Sequence, residues 1–267
     1  MNKSLKEKTI KGIYWSLLEK VLSQLLSFIV LIILARELSP DDFGLVGMLT
    51  IFMVFSEVLV NGGLSSALIQ KKDRTNLDLS TMFFTNLGLA LIVYIVLFII
   101  TPSISEFYGE PRLIEISRII FISILINALC MVPYVKLDVD LKFKTKSIIN
   151  VSALTLSSFM AIYMAFNDYG VWTIIYRSLI NSSLIFILLF FTLKWIPQFK
   201  FSKQSFDKLF GFGSKLLIIN TLNTISNNLT SMLVGKFYGV TDAGYYSQSQ
   251  RLTSITSSAL IKIDINI

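Results

Sequence analysis

Long apolar runs separated by short charged segments make up most of this chain. Six of them cover residues 12–34, 43–69, 80–100, 113–135, 147–166 and 171–193. Each is close to the roughly 20 residues that a helix needs to cross the hydrocarbon of a bilayer. A seventh, more polar run covers residues 212–234, and an eighth begins at residue 243. The pattern predicts an all-α polytopic membrane protein with about eight transmembrane helices.

Composition supports this class of protein. Of the 267 residues, 54% are hydrophobic and only 15% are charged, whereas soluble domains carry about 25% charged residues. The formal net charge of +7 could suggest a nucleic-acid partner. We expect none, because the lysines lie in short loops between apolar runs and form no basic stripe on a soluble module.

Cysteine and histidine usage limits the chemistry. The chain has one cysteine, Cys130, inside an apolar run, and it has no histidine. An internal disulfide, a thiolate metal site, a histidine-ligated metal and a histidine general base are therefore excluded. We expect no catalytic residues, no metal site and no cofactor.

The distribution of lysine and arginine predicts the orientation. One set of alternate connections holds fifteen of these residues, and the other set holds three, Arg36, Arg112 and Lys236. Cytoplasmic loops carry the excess of positive charge in membrane proteins. The N-terminus is therefore predicted to lie in the cytoplasm.

An internal repeat predicts how the helices are organised. Residues 34–44 align without gaps on residues 234–244, which pairs Arg36 with Lys236 and Gly44 with Gly244. Six spans separate the two copies, so both copies have the same orientation, as in parallel repeats related by an axis along the membrane normal. We therefore predict a first six-helix lobe at residues 1–197 and an interfacial amphipathic linker at 198–211. Residues 212–267 then form the first two helices of a second lobe.

Two pairs of polar residues lie inside predicted spans. Glu57 and Asn61 are one turn apart, as are Arg177 and Asn181, so each pair shares a helix face. Ionisable groups at this depth usually face a cavity or a partner. Glu57 could be an ionisable cavity group or a structural partner of Lys20 or Arg177. Arg177 could bind a diphosphate through its planar fork of donors, or it could extend to the interface.

The seventh span carries a polar stripe. Asn220, Asn223 and Asn227 follow each other at intervals of three and four, and Lys215 lies on the same half of the helix. Because lipid leaves amide groups unpaired, this stripe should face protein or water. It could line a wet cavity that binds sugar hydroxyls, or it could form hydrogen bonds between helices. Arg251 on the eighth span is a further cavity candidate.

Several segments, in this order and spacing, resemble a known family. They are residues 33–45, 63–70, Pro102 with Phe107 and Tyr108, residues 169–172, and residues 233–239 with 244–246. The sequence is similar to the polysaccharide-transporter branch of the MOP flippases, the Wzx-like exporters of lipid-linked oligosaccharides in bacterial envelopes.

The resemblance implies a fold and a function. Such proteins have two helix bundles around a cavity of alternating access, a MATE-like architecture. They carry an undecaprenyl-diphosphate-linked sugar across the bacterial inner membrane, in contact with membrane lipids and other polysaccharide-assembly proteins. Family members resemble fourteen-helix chains, so the second lobe here is expected to be truncated.

Three alternative functions stay open at this point. A cation-coupled drug antiporter of the same superfamily is one of them. A polysaccharide polymerase or ligase is another, although the predicted external loops are short. The third is an inactive half that requires a partner chain.

Overall fold

The computed structural model describes the backbone of residues 3–61, 63–71 and 73–260. Side chains are described for residues 10–253, except residues 62, 72, 208, 212, 215 and 216. The described residues form ten helices: α1 (Lys3–Glu37), α2 (Pro40–Asn61), α3 (Leu64–Gln70), α4 (Asn76–Tyr108), α5 (Leu113–Ile120), α6 (Ile122–Val139), α7 (Phe143–Ala165), α8 (Val171–Leu193), α9 (Lys203–Tyr238) and α10 (Val240–Leu260).

Six helical segments among the described residues are long and apolar enough to cross a membrane. They are Ile10–Glu37, Pro40–Gln70, Asn76–Tyr108, Leu113–Val139, Phe143–Ala165 and Val171–Leu193. They match the first six predicted spans, so the prediction of an all-helical, multi-pass membrane protein is confirmed. The predicted seventh and eighth spans are α9 and α10, whose crossing of the membrane stays a prediction.

The sequence predicts that Pro102 ends the third span, because proline breaks a helix interior, and this prediction is wrong. Helix α4 continues through Pro102 to Tyr108, since a proline removes only one backbone donor and the helix can resume after it. Gly109 ends the helix instead, with φ 72° in the left-handed region. The amide of Gly109 donates to the carbonyl of Glu106 at 3.2 Å, and the amide of Glu110 donates to Ser105 at 3.1 Å. These bonds satisfy carbonyls at the helix end.

The first six spans pack around α2. Helix α1 packs on α7, α7 on α8, and both α4 and α8 on α6, while α2 contacts α4, α6, α8, α9 and α10. Residues 43–49 of α2 are buried, with Phe43, Leu45, Met48 and Leu49 in the largest apolar cluster. Helix α2 therefore makes the most extensive contacts between the first six spans and the last two helices, and α3 and α4 also contact α9.

Helices α2 and α10 approach each other through the glycines of the repeat. A Cβ atom added to Gly44 would lie 1.9 Å from the carbonyl oxygen of Val240. One added to Gly244 would lie 2.0 Å from the carbonyl oxygen of Pro40. Only glycine permits such close backbone packing between helices. An offset of 200 residues converts each of these contacts into the other, and we call this α2–α10 contact the seam.

Polar contacts surround the glycine end of the seam. The hydroxyl of Thr241 donates to the carboxylate of Asp41 at 2.6 Å, again with an offset of 200 residues. The ammonium of Lys236 donates to the carbonyl of Phe107 and lies 4.6 Å from the centre of its ring. These contacts hold α9 and α10 against α2 and α4 at one end of the bundle.

The segment predicted as a linker has two parts. Residues 198–202 are irregular, whereas residues 203–211 are the first turns of α9 and continue directly into the predicted seventh span. The amide of Gln198 donates to the hydroxyl of Ser80 at 2.9 Å, and that of Ser202 donates to Thr81 at 3.1 Å. The irregular part is thus attached to the start of α4. Its position at the membrane interface stays a prediction.

Candidate functional site

A cavity of about 380 Å³ lies where α1, α7 and α8 face α10. We call it the arginine pocket. Its lining residues are Ser27, Leu31, Leu154, Ser157, Ile174, Arg177, Ser178, Asn181 and Arg251. It therefore contains residues from helices on both sides of the internal repeat.

Two guanidinium groups give the arginine pocket its charge. Arg177 comes from α8 and Arg251 from α10, and both side chains line the same cavity. The guanidinium carbon of Arg251 lies 5.8 Å from the ring centre of Phe43. No acidic residue is among the described residues that line this pocket. Two cations sharing a cavity in an apolar setting favour the binding of an anion.

Hydrogen bonding orients the neighbouring amide. Asn181 lies one turn after Arg177 on α8, and its side-chain oxygen accepts a bond from the hydroxyl of Ser157 on α7 at 3.4 Å. This bond leaves the amide nitrogen of Asn181 as a donor next to the guanidinium of Arg177. The arrangement combines charge with directed hydrogen bonds, which suits a phosphate or diphosphate group.

A larger cavity of about 890 Å³ lies between α2, α9 and α10. We call it the amide chamber. Its lining residues are Gly47, Thr50, Asn227, Ser231, Tyr246, Ser247, Ser249, Gln250, Arg251 and Thr253. Arg251 lines both cavities, so the arginine pocket and the amide chamber adjoin at this side chain.

A third cavity, of about 300 Å³, lies within the first six spans. Glu57, Asn61, Asn127, Tyr134 and Asp138 supply most of its polar lining. Neither Arg177 nor Arg251 is among its described lining residues. This cavity is therefore separate from the arginine pocket.

Glu57 and Asn61 differ in their contacts within this third cavity. The side-chain oxygen of Asn61 accepts a bond from the amide of Asn86 at 3.4 Å, and the same amide contacts the carbonyl of Ala128 at 3.1 Å. Neither Lys20 nor Arg177 is among the described residues that line this cavity with Glu57, and a pairing of Glu57 with either one stays a prediction.

The predicted site residues fall into four locations. Arg177, Asn181 and Arg251 meet in the arginine pocket, and Asn227 meets Arg251 in the amide chamber. Glu57 and Asn61 share the third cavity. Asn220 and Asn223 lie on exposed faces of α9. The side chain of Lys215 lies outside the described residues, and its role stays a prediction.

Several polar residues of the two cavities escaped the sequence prediction. They are Ser27, Ser157 and Ser178 in the arginine pocket and Thr50, Tyr246, Ser249 and Gln250 in the amide chamber. A signal for some of them is present in the repeat. An offset of 200 residues relates Asn227 to Ser27 and Gln250 to Thr50, so extending the alignment in both directions from residues 34–44 would have pointed to these positions.

Comparison with known proteins gives relatives along nearly the whole chain. It is 25% identical over 262 residues to the succinoglycan biosynthesis transport protein ExoT of Rhizobium meliloti, covering 98% of this chain and 53% of that protein. It is 27% identical over 254 residues to the teichuronic acid biosynthesis protein TuaB of Bacillus subtilis, covering 94% of this chain and 53% of the relative. The lipopolysaccharide biosynthesis protein WzxC of Escherichia coli is 25% identical, with 91% and 50% covered.

A solved structure shares the fold. It is an inward-facing multidrug resistance MATE family transporter of the MOP superfamily, with a TM-score of 0.64 and 16% identity over 88% of this chain and 59% of that chain. The MATE-like helix bundle is therefore confirmed.

The chain spans about half the length of the curated relatives it matches. The family model described as "Polysaccharide biosynthesis protein" matches residues 33–264, which include both copies of the repeat and most of the arginine pocket and amide chamber. The chain belongs to this polysaccharide biosynthesis protein family.

Proposed function

We propose that this protein takes part in moving a lipid-linked saccharide precursor across the bacterial inner membrane during cell-surface polysaccharide synthesis. The observation that carries the proposal is the pair of guanidinium groups, Arg177 and Arg251, in one cavity between repeated helices. Membership of the polysaccharide biosynthesis family supplies the class of substrate. The ligand is then an undecaprenyl-diphosphate-linked oligosaccharide, with its diphosphate held by the two arginines.

The chemistry of the cavity supports a diphosphate. Arginine presents planar donors that can engage two phosphate oxygens together, and its charge persists at any physiological pH. A diphosphate diester carries two negative charges, which the two guanidinium groups would balance. Asn181 would add a neutral donor beside them. No covalent step is required of these residues, in keeping with a transporter rather than an enzyme.

The proposed topology follows from the charge distribution and the repeat. The N-terminus would lie in the cytoplasm, because the lysine-rich connections alternate with lysine-poor ones. Residues 1–197 would form one lobe and residues 212–267 part of a second. The reciprocal contacts of Gly44 and Gly244 support this division, because they join equivalent positions of the two copies.

The drug-antiporter alternative has weaker support. The MATE transporter resembles this chain in fold at 16% identity, which carries no information about the substrate. Glu57 would be the residue to serve cation coupling, and the third cavity places it away from the two arginines. The polymerase or ligase alternative would require a cluster of catalytic residues, and we identify none among the described residues.

A binding experiment tests the proposal. With the chain in lipid nanodiscs, we expect undecaprenyl diphosphate to bind more tightly than undecaprenol. Arg177→Ala should weaken binding of the diphosphate by about ten- to a hundredfold, the value of one charge-assisted contact. Arg177→Lys should weaken binding of the diphosphate less than Arg177→Ala does, because lysine keeps the positive charge but lacks the planar fork of donors.

Arg118→Ala is the matched control. Arg118 is a second intramembrane arginine, and its guanidinium lies 4.4 Å from the ring centre of Phe98, away from the arginine pocket. Its removal should leave diphosphate affinity unchanged. Equal affinities of undecaprenyl diphosphate for the unsubstituted chain and for Arg177→Ala would refute the proposed role of Arg177.

A further inference from the structure

The arginine pocket and the amide chamber adjoin at Arg251 of α10. The arginine pocket uses Ser27 and Leu31 of α1, and the amide chamber uses the residues 200 positions later, Asn227 and Ser231 of α9. Helix α1 faces α10 across the arginine pocket, whereas α9 faces α2 across the amide chamber. The two cavities are thus formed by equivalent positions of the repeat.

Equivalent position does not mean equal chemistry. Asn227 and Ser231 stand in the amide chamber where Ser27 and Leu31 stand in the arginine pocket, and Gln250 is joined there by its equivalent, Thr50. Arg251 is the one charged residue among the described residues that line the chamber. The remaining polar groups are amides and hydroxyls, which both donate and accept hydrogen bonds. This is the chemistry that matches the hydroxyl groups of a sugar.

Part of this lining is already fixed in place. The hydroxyl of Ser231 on α9 donates to the amide oxygen of Gln250 on α10 at 3.1 Å. The amide nitrogen of Gln250 donates to the hydroxyl of Tyr246 at 3.0 Å. The chain of bonds fixes which way the Gln250 amide points, and it leaves one amide hydrogen and the Tyr246 hydroxyl hydrogen for a ligand.

We propose that the amide chamber is the saccharide subsite, with Asn227, Tyr246 and Gln250 bonding to the hydroxyls of the first sugars. This proposal rests on the proposed function, and it divides one ligand between the two cavities. The diphosphate occupies the arginine pocket, and the sugar crosses beside Arg251 into the chamber. Because Arg251 stands at the border, the chamber accepts neutral or acidic sugars and disfavours sugars with a free ammonium group.

The test compares two ligands on the same protein. Undecaprenyl diphosphate lacks a sugar, and undecaprenyl diphosphate galactose carries one hexose. For the unsubstituted chain in nanodiscs, the sugar-bearing lipid should bind more tightly. Asn227→Ala and Gln250→Ala should each weaken its binding by about three- to tenfold, the value of one neutral hydrogen bond. Both variants should bind undecaprenyl diphosphate as the unsubstituted chain does.

Asn228→Ala is the matched control. Asn228 is the next amide on α9, and its nitrogen donates to the carbonyl of Thr224 at 2.9 Å within the helix. It should change neither affinity. Asn227→Ser and Gln250→Asn keep shorter polar groups and should give smaller losses of the same kind. Because each variant is judged by the ratio of its two affinities, a general loss of folding does not imitate the expected result.

Each outcome has a distinct meaning. A selective loss for the sugar-bearing lipid supports the saccharide subsite. Equal affinities of the unsubstituted chain for both lipids, or equal losses for both lipids in Asn227→Ala and Gln250→Ala, overturn it while leaving the diphosphate site intact. Failure of the unsubstituted chain to bind either lipid overturns the proposed function and the subsite together.

Discussion

Helices α1 and α2 carry the first aligned segment, helices α9 and α10 carry the second, and the two pairs of helices present different surfaces. At the seam, both copies present glycine, and each glycine packs on the backbone of the other copy. A few residues farther along, Val46 of α2 corresponds to Tyr246 of α10, and Leu49 corresponds to Ser249. The comparison teaches that backbone packing and cavity chemistry are set by different positions. The first copy supplies apolar core where the second supplies polar lining.

The largest expected effect comes from filling the seam. Gly44→Ala and Gly244→Ala each place a Cβ atom about 2 Å from a backbone carbonyl, which cannot rotate away. We expect each to lower the free energy of unfolding by about 3 kcal/mol. Thermal or chemical unfolding in detergent, followed by circular dichroism, measures the change.

Gly88→Ala provides the control for the seam variants. Gly88 lies inside α4, and a Cβ atom there would meet nothing within 4 Å. Alanine should therefore raise the free energy of unfolding by about 0.5–1 kcal/mol through its helix propensity. If Gly44→Ala behaved like Gly88→Ala, the close approach of α2 and α10 would be wrong.

A smaller effect is expected from the hydrogen bond at the end of the seam. Thr241→Val removes the hydroxyl that donates to Asp41, and we expect a loss of about 1 kcal/mol, because water competes at this exposed site. Thr155→Val is the control, because it removes a hydroxyl that donates to the carbonyl of Val151 within the single helix α7. A double-mutant cycle with Asp41→Ala, which removes the acceptor, should give a coupling energy, and additive effects would show that the bond is absent.

The smallest effect is expected where a side chain can adjust. A Cβ atom on Gly47 would lie 3.1 Å from the Cβ atom of Ser247, the equivalent position in the second copy. Gly47→Ala should cost about 0.5–1 kcal/mol. Adding Ser247→Gly exchanges the small residue between the copies and relieves the contact. The double variant should therefore lose less free energy of unfolding than the sum of the losses in the two single variants.

Much of the fold could be predicted from the sequence. Apolar runs of span length gave the first six helices, and the sixth run matches α8 residue for residue. The gapless repeat indicated Gly44 and Gly244, which the structure places in reciprocal contact. Pro102 misled the prediction, because the end of α4 depends on the left-handed conformation of Gly109 rather than on the proline.

The site was harder to predict, because the spacing of residues on one helix face does not show which other helix that face contacts. The spacing placed Arg177 and Asn181 on one face but could not say that Arg251, 74 positions later than Arg177, lines the same pocket. The spacing also placed Asn220, Asn223 and Asn227 in one polar stripe and predicted the same role for all three. All three are exposed on α9, and of the three only Asn227 is among the described residues that line the amide chamber.

Photocrosslinking locates the ligand most directly. Undecaprenyl diphosphate carrying a diazirine next to the diphosphate would be activated on the chain in nanodiscs, and the labelled peptides identified by mass spectrometry. We predict labels on α8 near Arg177 and on α10 near Arg251, lost when excess unlabelled lipid competes. Competed labels confined to the third cavity around Glu57, or to the exposed face of α4, would contradict the account.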